Sequence, residues 1–172
     1  MTETIPEFSR VVPLARLGLE PFCQQIEATA DEREGLARRF DLVSLDRLTA
    51  TVTLRRQEGE LILLEAEFEA EFAQECVITL EPVADRLVGS FSLLYGPVDD
   101  ARAQVEPGTD DPVFEPLIGD AIDVGEAVAQ ELSLALPEFP HHPDAPIDAA
   151  AVAEPADSPF AALAGLRKPA QD

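Results

Sequence analysis

The stretch Ile62-Leu63-Leu64-Glu65-Ala66-Glu67-Phe68-Glu69-Ala70-Glu71-Phe72 decides the fold. Ile62, Leu64, Ala66, Phe68, Ala70 and Phe72 alternate with Glu65, Glu67, Glu69 and Glu71. Glu and Ala favour helices, but a helix would scatter these phenylalanines and glutamates around its circumference. A period of two puts them on opposite faces of a strand, one buried and one in water.

The neighbouring sequence extends this strand into a sheet. In 47–56, Leu48, Ala50, Val52 and Leu54 alternate with Thr49, Thr51 and Thr53, which gives a second half-buried strand. Gln57-Glu58-Gly59 forms the turn between them, with Gly59 free to take positive φ. Residues 76–80, closed by Pro82, predict a third strand. Residues 86–95 predict a fourth, with Leu87, Phe91, Leu93 and Tyr95 on one face. Four successive strands with short connections imply an antiparallel meander packed on one side.

Helices flank it. The segment 28–40 predicts a short helix capped by Thr29 or Asp31, with Leu36 and Phe40 facing the core. Ahead of it, 6–14 is an extended lead-in whose Val11, Val12 and Leu14 suit a strand. Residues 97–112 are acidic and carry Pro97, Pro107, Gly108 and Pro112, the composition of a mobile loop. One more short strand is expected at 114–118. Asp123-Val124-Gly125-Glu126 then has the spacing of a capping box. Val124, Val128, Leu132, Ala135 and Leu136 give the apolar stripe of the helix that follows, and Pro137 stops it.

The expected class is α+β: an antiparallel sheet of four to six strands, one or two packed helices and a tethered C-terminal helix. Residues 1–137 form the domain. Residues 138–157, rich in Pro and Ala, form a flexible linker. Residues 158–168 form a short amphipathic helix, with Ser158 as cap, Pro159 in the first turn, and Phe160, Leu163 and Leu166 as its stripe. So short a helix needs a docking surface to be stable.

Charge is the dominant bulk property. Twelve Lys and Arg face 34 Asp and Glu in 172 residues, a formal net of −22. A phosphate backbone would be repelled at long range and a basic partner steered in. The 46% apolar content supplies a core, and no run of about 18 apolar residues suggests a membrane span. The N-terminus lacks the charged start and apolar block of a secretory signal, so a cytoplasmic location is expected. Cys23 and Cys76 are the two cysteines, expected as buried thiols packing like small hydrophobes.

Few residues are candidates for chemistry. Glu65, Glu67, Glu69 and Glu71 lie about 7 Å apart along one strand face, with nothing convergent from elsewhere in the sequence. They suit a solvated face or a dock for a basic protein. His141 and His142 are adjacent in a Pro-rich segment without further ligands, so neither a metal nor a catalytic triad is expected. The glycines are scattered and form no phosphate loop. No catalytic, cofactor-binding or metal-ligating residue is assigned, and the chain is expected not to be an enzyme. Base-stacking aromatics are scarce. Arg38-Arg39 and Arg55-Arg56 offer the alternative of a direct RNA-binding module. A less favoured alternative is an uncharacterised hydrolase.

Three segments, taken in order, carry a resemblance. Cys76-Val77-Ile78-Thr79-Leu80-Glu81-Pro82 is similar to a cysteine followed by Leu-Glu-Pro. Asp123, Gly125 and Glu126, continuing through Glu131, Leu132 and Pro137 to His142-Pro143, resemble a characteristic helix and its stop. Ser158-Pro159-Phe160-Ala161-Ala162-Leu163 resembles a Pro-Phe-Ala-x-Leu ending. Together they resemble the YceD-like family of large-subunit ribosomal RNA accumulation proteins, in a form similar to alphaproteobacterial members. The resemblance implies an accessory role in large ribosomal subunit biogenesis. The resemblance, joined to the acidic surface, points to a partner that is a basic ribosomal protein or a large-subunit ribosomal RNA assembly intermediate, and neither membrane nor DNA is expected. It supplies no catalytic residues and no cofactor. Thr79 stands where many relatives have a second cysteine, Asp144 and Ala145 follow Pro143 where some have another, and Val77 and Ile78 replace an arginine. A structural metal suggested for cysteine-rich relatives is therefore not expected here.

Overall fold

The computed structural model describes residues 6–97 and 112–145. By its internal contacts the chain divides into Met1–His142 and Pro143–Asp172, and the fold described below is that of the first unit. In chain order its elements are β1 (Val11–Pro13), a 3-10 turn (Leu14–Arg16), β2 (Phe22–Glu27), α1 (Ala30–Arg39), β3 (Ser44–Arg56), β4 (Ile62–Glu75), β5 (Pro82–Gly96), β6 (Val113–Pro116), β7 (Ala121–Asp123) and α2 (Val124–Ala135). The class is α+β.

The main sheet has the order β2-β3-β4-β5-β6, and β1 pairs with β7 in a separate two-stranded ribbon. β2 to β5 run antiparallel, as the alternation implies. β6 differs, because it lies parallel to β5. A parallel neighbour needs a long connection, and residues 98–111, which stand between the two strands in sequence, lie outside the described residues together with most of the loop expected at 97–112.

The long alternation holds along β4. Ile62, Leu64, Ala66, Phe68, Ala70 and Phe72 are all buried, joined by Leu48, Ala50, Val52 and Leu54 of β3. β3 begins three residues earlier than its alternation suggests, because a bulge between Leu45 and Arg47 lets both Leu45 and Leu48 face inward. The Phe68 ring lies over Gly89 of β5, where an added Cβ would come within 2.6 Å of it. β2 gave little signal in the sequence. Only Phe22, Gln24 and Ile26 turn inward, and a glutamine in the middle blurs the period.

Residues 76–80, expected as a strand, form a turn instead. β4 runs on to Glu75 and β5 starts at Pro82, with Glu75 opposite Pro82. The turn is closed by Cys76 N–H donating to the Glu81 carbonyl and Leu80 N–H donating to the Cys76 carbonyl, each at 2.9 Å. Leu80 takes φ 61, a left-handed conformation no strand contains.

Both helices cover the same face of the sheet. α1 packs on β3, and α2 packs on β1, β4 and β5. Leu36 of α1 and Val124, Val128 and Leu132 of α2 join one core with the inward sheet residues and Phe8. Ala135, expected on the stripe of α2, is exposed because the helix ends there. α1 has a full capping box: Thr29 Oγ1 accepts from Glu32 N–H, and the Glu32 carboxylate accepts from Thr29 N–H. α2 has only half of the expected one. Asp123 caps it, but Glu126 turns to Arg39 of α1 instead of back to the cap. Among the described residues no helix is long and apolar enough to cross a membrane.

Candidate functional site

Two surfaces bring together residues singled out in the sequence. The first is the open face of the sheet. Its central column is Glu65, Glu67, Glu69 and Glu71, flanked in register by Thr53, Thr51, Thr49 and Arg47 on β3 and by Ser92, Ser90, Val88 and Arg86 on β5. A trough of about 530 Å³ is lined by Thr51, Thr53, Glu65, Glu67, Ser90 and Ser92. The glutamates are not equivalent. Glu69 lies 3.7 Å from Arg47 and 3.0 Å from Arg86, and Glu65 lies 3.5 Å from Arg55. Among the described residues Glu67 and Glu71 make no ion pair, so the column keeps net negative charge there. Exposed pairs of this kind contribute about 0–1 kcal/mol each, and a competing cation could displace them.

The arginines of the RNA-binding alternative are occupied. Arg38 pairs with Glu34 at 2.6 Å and Arg55 with Glu65. Arg39 donates to Glu126 and Glu7, and these hydrogen bonds, that of Glu126 foremost, hold its pKa above the ordinary value. Arg56 donates to the carbonyls of Leu17 and Leu14. Arg39 and Arg56 therefore work as internal ties between distant segments.

The second surface is built on the turn at Cys76. Its thiol is fully buried, whereas Cys23 is exposed on β2, against the expectation of two buried thiols. Cys76 is also more than a small hydrophobe. Its Sγ accepts from the N–H groups of Ile78, Thr79 and His142, each at 3.4 Å. The Thr79 hydroxyl and these N–H groups stabilise the thiolate and pull its pKa down to about 6, against the opposing effect of burial. Residues 137–142 are held alongside: Val77 N–H donates to the Pro140 carbonyl at 2.9 Å, and Gln74 Nε2 to the Pro137 carbonyl at 3.2 Å. Two segments that looked separate in the sequence thus form one knot. Nothing in either segment's pattern signals the other, because residues 137–142 make these contacts through backbone groups.

The remaining motif residues explain themselves locally. Asp123 Oδ1 accepts from Gly125 N–H, Glu126 N–H and Arg10 N–H, and Oδ2 accepts from Ser9 Oγ. It caps α2 and fastens the N-terminal segment to it. Gly125 is needed because an added Cβ would lie 2.5 Å from the Phe8 carbonyl oxygen. Leu132 is fully buried. Burial, followed by the nearby charge of Glu115, raises the pKa of Glu131. Pro159, Phe160, Leu163 and Leu166 lie outside the described residues.

The family model described as Large ribosomal RNA subunit accumulation protein YceD matches residues 64–167. The chain belongs to the YceD family. The match begins in β4 and takes in the Cys76 turn, β5 and α2, so both surfaces fall largely within it. The family's name ties it to accumulation of the large ribosomal RNA subunit. No curated protein and no solved structure matches the chain.

Proposed function

We propose that this YceD-family protein is a non-enzymatic accessory factor in large-subunit biogenesis, acting through an acidic surface that holds a basic ribosomal protein or a basic assembly intermediate. The observation that carries the reading is the sheet face turned away from both described helices: a column of four glutamates, in a chain of net charge −22. Such a face attracts cationic protein segments and repels bare phosphate. The engagement of Arg39 and Arg56 within the fold supports a protein partner over direct reading of RNA. Phe160, Leu163 and Leu166 are proposed as an additional recruitment arm, and cytoplasm as the place of action.

A clean deletion strain tests the reading. Large-subunit ribosomal RNA should fall relative to small-subunit RNA, and the chain with Glu65, Glu67, Glu69 and Glu71 all changed to Gln should restore the ratio only partly. An unchanged ratio in the deletion strain overturns the assignment. Full rescue by the glutamine variant removes the acidic face from it.

A further inference from the structure

The Cys76 knot displays apolar side chains that the fold does not use. Val77 is 54%, Ile78 43%, Leu80 68% and Phe139 74% exposed. These are four of the eleven large apolar side chains exposed among the described residues, gathered on two short segments. Scattered single exposures are ordinary, whereas a cluster marks a contact surface. Leu80 sharpens the point. It occupies a left-handed conformation that Gly or Asn adopts at lower cost, yet it carries a large side chain into water.

The charged side chains on the two segments that build this tip, 75–85 and 137–140, are all acidic. Glu75, Glu81, Asp85 and Glu138 are all exposed around it. No Lys or Arg occurs between Arg56 and Arg86, or from 103 to 166. Beside Phe139 a shallow cleft of about 160 Å³ is lined by Gln74, Val83, Asp85, Pro137, Phe139, Pro140 and His141. Apolar walls with a carboxylate at the edge suit the stem and head of a Lys or Arg side chain. The Phe139 ring offers it a cation–π face.

We propose that this tip is a docking site for an amphipathic basic segment of a protein, with apolar residues set on Val77, Ile78 and Leu80 and a Lys or Arg laid in the cleft toward Asp85. The proposal rests on the reading that the protein handles a basic partner, but it places the specific anchor on the tip and leaves the sheet face as the long-range attractor. The knot fixes the display before binding. Its hairpin hydrogen bonds, and the tie from Val77 to Pro140, hold the turn in one conformation, which lowers the ordering cost of association.

The test uses the full chain and two probes: RNA-free basic proteins salt-washed from large ribosomal subunits, and the large-subunit ribosomal RNA. The tip variant is Leu80→Asn with Phe139→Ser. The face variant is Glu67→Gln with Glu71→Gln. The tip variant should melt no lower than the wild type and bind the basic proteins about tenfold more weakly. The face variant should chiefly lose the salt dependence of binding. Benzoylphenylalanine placed at position 139 should cross-link to peptides that combine Lys or Arg with apolar residues. If the tip variant binds normally and the face variant does not, the tip inference is wrong and the functional reading stands. If the wild type binds neither probe, both fail. If the tip captures RNA or a second copy of this chain instead, the partner class is wrong.

Discussion

The backbone N–H of His142 donates to Sγ of Cys76 at 3.4 Å, joining segments 66 residues apart in sequence. With the N–H groups of Ile78 and Thr79 it gives the sulfur three backbone donors. That arrangement favours thiolate over thiol and has a measurable pH consequence. A pKa lowered to about 6 means the thiolate's contribution is fully present above the ordinary value of 9.0 and is lost as pH falls through 6. In a Cys23→Ser background, melting temperatures of wild-type and Cys76→Ala chains should diverge as pH rises from about 5 to about 9. A constant gap would mean that the thiol stays protonated.

The two thiols should differ in reactivity. Cys23 is exposed and Cys76 is fully buried. A disulfide exchange reagent should modify one thiol per native chain quickly and the second only on unfolding, because access limits attack even where thiolate is present. Cys23→Ser should remove the fast phase alone.

Leu80 at φ 61 stores local strain. Leu80→Asn should stabilise the fold by about 0.5–1 kcal/mol, since Asn tolerates the left-handed region better. Chemical denaturation reads this directly. A destabilised variant would show that Leu80 packs more than its exposure indicates.

Glu32 ties the segment before β1 to the start of α1. It accepts from both Arg10 guanidinium nitrogens, at 2.6 and 2.9 Å, and closes the cap of α1. The Arg10 hydrogen bonds lead in lowering its pKa to about 2. The carboxylate therefore stabilises the fold above its ordinary 4.5, and that stability is lost as pH falls through about 2. Glu32→Gln should cost roughly 2 kcal/mol at neutral pH, with the difference shrinking below about pH 4. Equal costs at both pH values would assign the effect to the cap alone.

Gly125→Ala sets helix propensity against packing. Alanine favours a helix interior by about 1 kcal/mol, but its Cβ would press on the Phe8 carbonyl at 2.5 Å and on Arg10 N at 2.9 Å. Backbone has little room to yield, so a net loss of about 1–3 kcal/mol is expected. A neutral result in denaturation would mean that the N-terminal segment shifts freely.

The sequence by itself determined the core strands and both described helices. Inward and outward residues alternate from Leu48 to Leu54 in β3 and from Ile62 to Phe72 in β4, and a strand's period of two leaves no other arrangement of Phe68 and Glu67. Thr29 and Asp123 announced their helices because capping is a contact between near neighbours in the chain. What only the tertiary structure decided depends on groups far apart in sequence. The parallel pairing of β6, the turn at Cys76 in place of a strand, and the choice of Arg39 by Glu126 all fall in that class. So does the meeting of Cys76 with His142, because a backbone N–H is the same at every residue and leaves no mark in the sequence.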